Sequence, residues 1–190
     1  MISDKKGGGP MRNTCAFTGH RPEKLPWRRG ETDEGCKRLK RALYNQIVRY
    51  ANAGVTDYLS GMAEGVDTWA AQSVLLLRRQ SSSIRLHCIL PCTARADLWS
   101  VSAQERYRSI LEQADSIVYV RRNYTGDCML ARNRFLVEHA ALLLAVYNGE
   151  ARGGTAATVR YARKLGREIW VLDPATAAIG CERGTADGRI

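Results

Sequence analysis

The sequence predicts an α/β fold with a mostly parallel central sheet. Short apolar segments alternate with longer segments of helical period, several apolar segments lack a polar face, and glycine-bearing turns follow three of them. Strands without a polar face are typical of parallel sheets that helices cover on both sides. A chain of 190 residues is long enough for one domain with a full core.

The elements follow in chain order. Strands are predicted at 14–18, 57–59, 84–90, 116–120, 140–147 and 168–172. Helices are predicted at 33–53, 68–79, 98–114, 128–139 and 155–165. In the first helix Leu39, Leu43 and Ile47 recur at helical spacing, and Gly54 follows as a C-cap. We therefore expect one domain over 14–174, a flexible lead over 1–13 and a mobile tail without apolar period over 175–190.

Composition limits the function classes. No apolar run approaches the roughly 20 residues that a membrane-spanning helix needs, and we expect no membrane partner. The N-terminus lacks the apolar core of a signal peptide, and the six cysteines show no zinc-type spacing, so we expect reduced thiols, no metal site and a cytoplasmic protein. A net charge of +10 suits an anionic partner, either nucleic acid or a phosphorylated small molecule.

The three glycine turns follow strands, and the carboxyl ends of parallel strands meet at one edge of a sheet. We therefore expect the turns to lie together and to form a ligand site. In the first turn Thr18 offers a hydroxyl and Gly19 an approachable backbone. His20 and Arg21 add charge or a stacking surface.

The second turn precedes a predicted helix. Ser60 and Gly61 are candidates for contact with a phosphate or a sugar, and Gly65 permits close packing. Asp67 has two alternative roles, a hydrogen bond to a ribose or a cap on the helix. The plain alternative for the whole segment is a tight turn without a ligand.

The third turn, Gly153-Gly154-Thr155, opens a helix and is a candidate phosphate cradle, because the first N–H groups of a helix lack intrahelical partners. It is not a Walker motif, since no Gly-Lys-Ser/Thr follows it. Arg132 and Asn133 lie on the preceding helix. Arg132 either pairs a phosphate bidentately or belongs to a solvated helix face.

The segments that carry a family resemblance are Thr18-Gly19-His20-Arg21-Pro22, Ser60-Gly61-Met62-Ala63-Glu64-Gly65-Val66-Asp67, Arg132-Asn133-Arg134 and Gly153-Gly154-Thr155. Together they resemble the YpsA-like branch of the SLOG superfamily, over about 15–174. The resemblance implies three things: a Rossmann-like three-layer sandwich, a bacterial or phage source, and a possible homodimer. It also implies a nucleotide-type ligand, with no required cofactor, over the glycine turns, including Met62.

The superfamily includes the LOG phosphoribohydrolases and DprA, a single-strand DNA binder, so three functions stand as alternatives. The first, which we favour, is a non-catalytic binder or sensor of a nucleotide-derived ligand. The second is an N-glycosidase, for which Glu64, Asp67 and Arg132 are the candidate catalytic residues. The LOG motif has a further glycine and a glutamate, and the segment 153–158 of this chain lacks both. The third is binding of single-stranded DNA, which the charge of +10 favours.

Overall fold

The computed structural model describes residues 11–27, 30–92 and 99–183. In these ranges seven strands form one sheet, and five α-helices cover it. The strands are β1 Met11–Gly19, β2 Asp57–Ser60, β3 Arg85–Leu90, β4 Ser116–Tyr119, β5 Ala140–Val146, β6 Glu168–Leu172 and β7 Ile179–Arg183. The helices are α1 Glu34–Asn52, α2 Val66–Arg78, α3 Val101–Gln113, α4 Cys128–His139 and α5 Gly154–Lys164.

The strand order is β4-β3-β2-β1-β5-β6-β7, and every neighbouring pair is parallel except β6 and β7. The chain winds outward from β1 to β4 on one side and then returns to β5 on the other. The order therefore reverses between β1 and β5, at the position where ligands bind in open α/β sheets. The predicted mostly parallel sheet is confirmed.

Two hydrophobic clusters fill the two faces of the sheet. One packs α1, α2 and α3 against the sheet through residues such as Leu43, Val74 and Ile110. The other packs α4 and α5 through Leu136 and Val159. Helices on both faces make three layers, and the predicted three-layer sandwich is confirmed.

The first helix shows how closely its sequence fixes its limits. Asp33 is the N-cap, and its carboxylate accepts from the Gly35 N–H at 2.7 Å. Gly54 follows the helix with a φ of +92°, a conformation that glycine adopts without strain. The predicted limits are correct within one residue. For α3, Leu98, where the sequence predicts the start, lies outside the described residues, and Ser100 is the N-cap.

The chain ends differ from the prediction. β1 begins at Met11 rather than at residue 14, so only 1–10 of the expected lead lie outside the described residues. In the expected tail, β7 pairs antiparallel with β6, and the Arg163 and Glu182 side chains form an ion pair at 2.7 Å. Backbone pairing with β6 thus holds β7 in the sheet, although its five residues show no apolar period. Residues 184–190 lie outside the described residues.

Candidate functional site

A cleft of about 420 Å³ opens where β1 and β5 end, at the reversal of strand order. Residues from the end of β1, from the loops after β1, β2 and β5, and from the N-terminal halves of α2, α4 and α5 line it. The predicted site residues in its lining are Thr18, Gly19, His20, Arg21, Asp67, Arg132, Asn133, Gly153, Gly154 and Thr155. The tertiary structure thus brings the first and third glycine turns together with the Arg132 segment.

The end of β1 is fixed by close packing. A Cβ atom at Gly19 would overlap the side chain of Val66, the first residue of α2, so only glycine lets the helix start so near the strand. His20 is buried, and its Nε2 lies 2.9 Å from Oδ1 of Asn148, which follows β5. This hydrogen bond ties together the two loops on either side of the cleft.

The first turn of α5 presents backbone N–H groups to the cleft. Gly153 is the N-cap with a φ of +107°, and no side chain caps the helix. The first N–H groups of a helix have no intrahelical partner, and the helix dipole adds partial positive charge there. Gly154 is exposed. A Cβ atom added there would have Asn133 Nδ2, at 3.8 Å, as its nearest described neighbour.

The second glycine turn packs differently from the prediction. Ser60, Gly61, Met62 and Gly65 do not line the cleft. Ser60 is fully buried, and its Oγ donates to the Asp67 carbonyl at 2.9 Å and accepts from the Met62 N–H at 3.2 Å. The polar groups of Ser60 therefore hold the turn itself.

The two glycines of this turn make room for neighbouring residues. A Cβ at Gly61 would overlap the Arg132 guanidinium, and one at Gly65 would meet Pro22 Cδ at 2.8 Å. Gly65 is also the N-cap of α2, so the expected cap at Asp67 is wrong. Glu64, a candidate catalytic carboxylate, is likewise outside the cleft lining.

Arg132 forms a buried ion pair with Asp67, so the solvated helix face, one of its two alternatives, is wrong. The distance from Nη1 to Asp67 Oδ2 is 3.2 Å, and Nη1 also donates to the Gly61 carbonyl. Asp67 Oδ2 further accepts from the Ala63 N–H at 3.3 Å. Burial raises the pKa of Asp67 and lowers that of Arg132, since each charged form loses water, and the pairing opposes both shifts.

The same pair alters the chemistry expected of both residues. Two of the three guanidinium nitrogens of Arg132 contact protein groups, while its Nε is buried without a hydrogen-bond partner in the described residues. Bidentate pairing of a phosphate by Arg132 would compete with these contacts. The Asp67 carboxylate is similarly held by Arg132 and the Ala63 N–H.

Five cleft residues are absent from the sequence prediction: Glu23, Lys24, Ala63, Met129 and Arg152. Lys24 closes a short 3₁₀ turn at Pro22–Lys24 and forms an exposed ion pair with Glu150 at 3.4 Å. Arg152 directly precedes the two glycines of the third turn, so its position in the sequence could have indicated it as a site residue. Arg21, Lys24 and Arg152 together make the rim of the cleft basic.

A metal site and a membrane-spanning helix both make requirements that the described ranges do not meet. No group of three or more His, Cys, Asp or Glu side chains in 11–27, 30–92 and 99–183 is placed to hold a metal ion. In the same ranges no helix has the length and apolar character needed to cross a membrane.

Comparison with known proteins supports the fold and the family. The chain is 27% identical over 153 residues to a UPF0398 protein of Bacillus cereus, covering 80% of this chain and 83% of that protein. It is 30% identical over 125 residues to a UPF0398 protein of Brevibacillus brevis, covering 65% of this chain and 66% of that one.

Among solved structures, the fold is similar to that of DNA processing protein A (DprA) from Helicobacter pylori. The TM-score is 0.56 at 17% identity, and the match covers 87% of this chain and 66% of that one. That protein is described as binding single-stranded DNA. At this identity the likeness shows the fold alone.

The model of the YspA SLOG family matches residues 15–175, the range that contains both strand ends of the cleft and all five helices. The resemblance noted in the glycine turns is thereby confirmed, and the chain belongs to the YspA SLOG family.

Proposed function

We propose that the cleft between β1 and β5 binds a nucleotide or a nucleotide-derived small molecule, and that the protein acts as a binder or sensor. The observation that carries this proposal is the uncapped N-terminus of α5, which lines a cleft at the reversal of strand order. Backbone N–H groups and the helix dipole together favour a phosphate group at such a position.

The charges around the cleft support an anionic ligand. Arg21 and Arg152 are exposed at its rim, and neither forms an ion pair with any residue that the structure describes. Of the two carboxylates in the lining, Asp67 is paired with Arg132. A cleft volume of about 420 Å³ is within the range of small-molecule sites.

Two observations favour a binder over an N-glycosidase. Hydrolysis of a glycosidic bond needs a carboxylate near the ribose, and the third turn has no glutamate in the position where the LOG motif has one. Of the two substitutes considered, Glu64 does not line the cleft and Asp67 is held by Arg132. Release of free base from a bound nucleotide would contradict the binder proposal.

Single-stranded DNA is the second candidate ligand. The net charge of +10 and the structural likeness to DprA, a protein described as binding single-stranded DNA, favour it. The salt dependence of binding separates the two ligands, because each released counterion steepens the fall of affinity with salt. A mononucleotide releases few counterions and an oligonucleotide several.

The proposal is tested by calorimetric titration of the whole chain with nucleoside monophosphates, NAD, ADP-ribose and oligonucleotides, with product analysis of each complex. The matched variants are Gly154→Asp and Gly126→Asp. Both glycines have backbone that accepts a side chain, and no described atom lies near enough to clash. Only Gly154 lies in the cleft.

An aspartate at residue 154 places negative charge where the phosphate is expected. It suits the helix itself, since anionic side chains stabilise helix N-termini. We expect Gly154→Asp to weaken nucleotide binding by roughly tenfold or more, with an unchanged unfolding temperature, and Gly126→Asp to have no effect. Equal affinity in both variants would place the ligand elsewhere.

A further inference from the structure

A second concavity adjoins the cleft on the outer surface of α4 and α5. This α4–α5 groove has a volume of about 270 Å³ and is lined by Asn133, Arg134, Arg160, Tyr161 and Lys164, among others. Asn133 lines both the groove and the cleft. The cleft and the groove therefore meet at Asn133.

Three cations in the groove lack acidic partners. Arg134, Arg160 and Lys164 are exposed, and none of them forms an ion pair with a described residue. The adjacent Arg163, which lies outside the groove lining, is paired with Glu182 at 2.7 Å. The unpaired positive charge is thus concentrated on the side of α5 that continues the cleft.

The groove also contains an aromatic surface. The Arg134 guanidinium lies 5.9 Å from the centroid of the Tyr161 ring. The Tyr161 hydroxyl donates to Glu138 Oε1 at 2.6 Å, which fixes the orientation of the ring. Aromatic rings and guanidinium planes are the surfaces on which unpaired bases stack.

The length of α5 sets the spacing between the two positions. At about 1.5 Å per residue, Tyr161 and Lys164 lie roughly 10 and 15 Å along the helix from Gly154. A single phosphate at the start of α5 is therefore too far from Lys164 for contact. A ligand that uses both positions needs a second phosphate about that far from the first.

We infer that the α4–α5 groove is a second phosphate-binding subsite of the cleft, and that the ligand class is the short 5′-phosphorylated oligonucleotide. Its terminal phosphate binds at Gly153–Thr155, and an internal phosphate binds between Arg134 and Lys164. This inference rests on the proposed function, because it takes the cleft as the first phosphate site. RNA and DNA share this chemistry.

The experiment measures the affinity of the whole chain for 5′-phosphorylated adenylates of one, two and four nucleotides, as RNA and as DNA. The groove variant is Arg134→Ala/Lys164→Ala. Arg160 stays in place because its guanidinium donates to the Ala151 carbonyl at 2.7 Å, beside Arg152 of the cleft. The control, Arg41→Ala/Arg49→Ala, removes the same charge from exposed positions of α1, on the other face of the sheet.

We expect the wild-type protein to bind the tetranucleotide roughly tenfold more tightly than the mononucleotide. In the groove variant the tetranucleotide weakens by about fivefold to tenfold, while mononucleotide affinity stays within about twofold. The slope of log affinity against log salt for the tetranucleotide falls by about 0.7, since one phosphate of a single strand is no longer neutralised. The α1 control reproduces the wild-type values.

The outcomes separate this inference from the proposed function. Mononucleotide binding without any gain from chain length overturns the groove and leaves the cleft proposal standing. Absence of binding by every adenylate overturns both. Equal losses in the groove and α1 variants show a general charge effect and overturn the groove.

If the double variant unfolds at a lower temperature than the wild-type protein, Lys164→Ala alone gives the same comparison. A preference between RNA and DNA, with the groove loss present, supports the subsite and identifies the sugar.

Discussion

The Arg132 guanidinium on α4 and the Asp67 carboxylate at the start of α2 form an ion pair whose side chains are each 7% exposed. The same Arg132 nitrogen donates to the Gly61 carbonyl, in the turn after β2. Arg132 therefore joins elements from both faces of the sheet across the floor of the cleft. The pair positions the cleft walls, and its loss should act on stability as well as on binding.

We expect Arg132→Ala to lower the free energy of unfolding by about 3–5 kcal/mol, because it leaves a buried carboxylate without its partner. Urea denaturation measures the change. Arg134→Ala, two residues away and exposed on the same helix, is the matched control and should stay within about 0.5 kcal/mol of wild type. A second change, Asp67→Asn, should recover part of the loss. Similar stabilities for the two arginine variants would refute this role of the pair.

Gly19→Ala should destabilise the protein by about 1–3 kcal/mol, since the added methyl group overlaps Val66 and forces β1 and α2 apart. The shift also moves the first wall of the cleft, so nucleotide binding should weaken in parallel. Gly126→Ala is the control, because no described atom lies within 4 Å of its added Cβ. Thermal unfolding of both variants decides the matter, and a Gly19→Ala protein as stable as the control contradicts the close packing.

Stability should fall at low pH because of Asp57. Burial raises the pKa of this carboxyl, but hydrogen bonds from Arg85, His87 and Thr56 outweigh burial and lower it from 3.8 to about 2. A folded-state pKa below the unfolded value stabilises the protein above about pH 4, and this stabilisation disappears as pH falls towards 2. Its size is about 1–2 kcal/mol, because Arg85 is partly exposed to solvent.

Asp57→Asn tests this pH dependence. The variant should be less stable than wild type at neutral pH, and the difference should shrink between about pH 4 and pH 2. Urea denaturation across this range gives the measurement. Asp57 lies at the start of β2, at the opposite edge of the sheet from the cleft, so nucleotide binding at neutral pH serves as the internal control. A difference that does not change with pH would rule out Asp57 as its source.

Removal of the last strand should expose a sheet edge. A chain that ends at residue 174 lacks β7 and leaves β6 without its antiparallel neighbour. We expect it to unfold at a lower temperature and to associate, because unpaired edge strands template further pairing. A chain that ends at residue 183 keeps β7 and should behave as the full chain does. Equal behaviour of the two truncated chains would place the end of the domain at 174, as the sequence alone predicts.

Local sequence signals were sufficient for most elements. The helical spacing of Leu39, Leu43 and Ile47, bounded by Asp33 and Gly54, defines α1 within one residue. The glycine turns indicated where the strands end. β7 escaped prediction because Ile179–Arg183 depends on backbone hydrogen bonds to β6 rather than on its own pattern.

For the candidate site, the first and third turns line the cleft as expected, whereas most of the second turn does not. Ser60 and Asp67 have side chains that suit ligand contact equally well in the sequence. Their partners, the Asp67 carbonyl for Ser60 and Arg132 for Asp67, become neighbours only when the chain is folded. Whether a polar side chain binds a ligand or holds a turn depends on such neighbours.

The sequence by itself determined the α/β class, the order of elements, the family and the placement of three glycine turns after strands, because periodicity and turn chemistry act over a few residues. Only the tertiary structure decided which turn faces the cleft, that Arg132 is buried against Asp67, and that Arg134 and Lys164 extend a basic surface beyond it. The reason is physical: burial and charge pairing depend on contacts between residues far apart in the chain, and no local pattern encodes them.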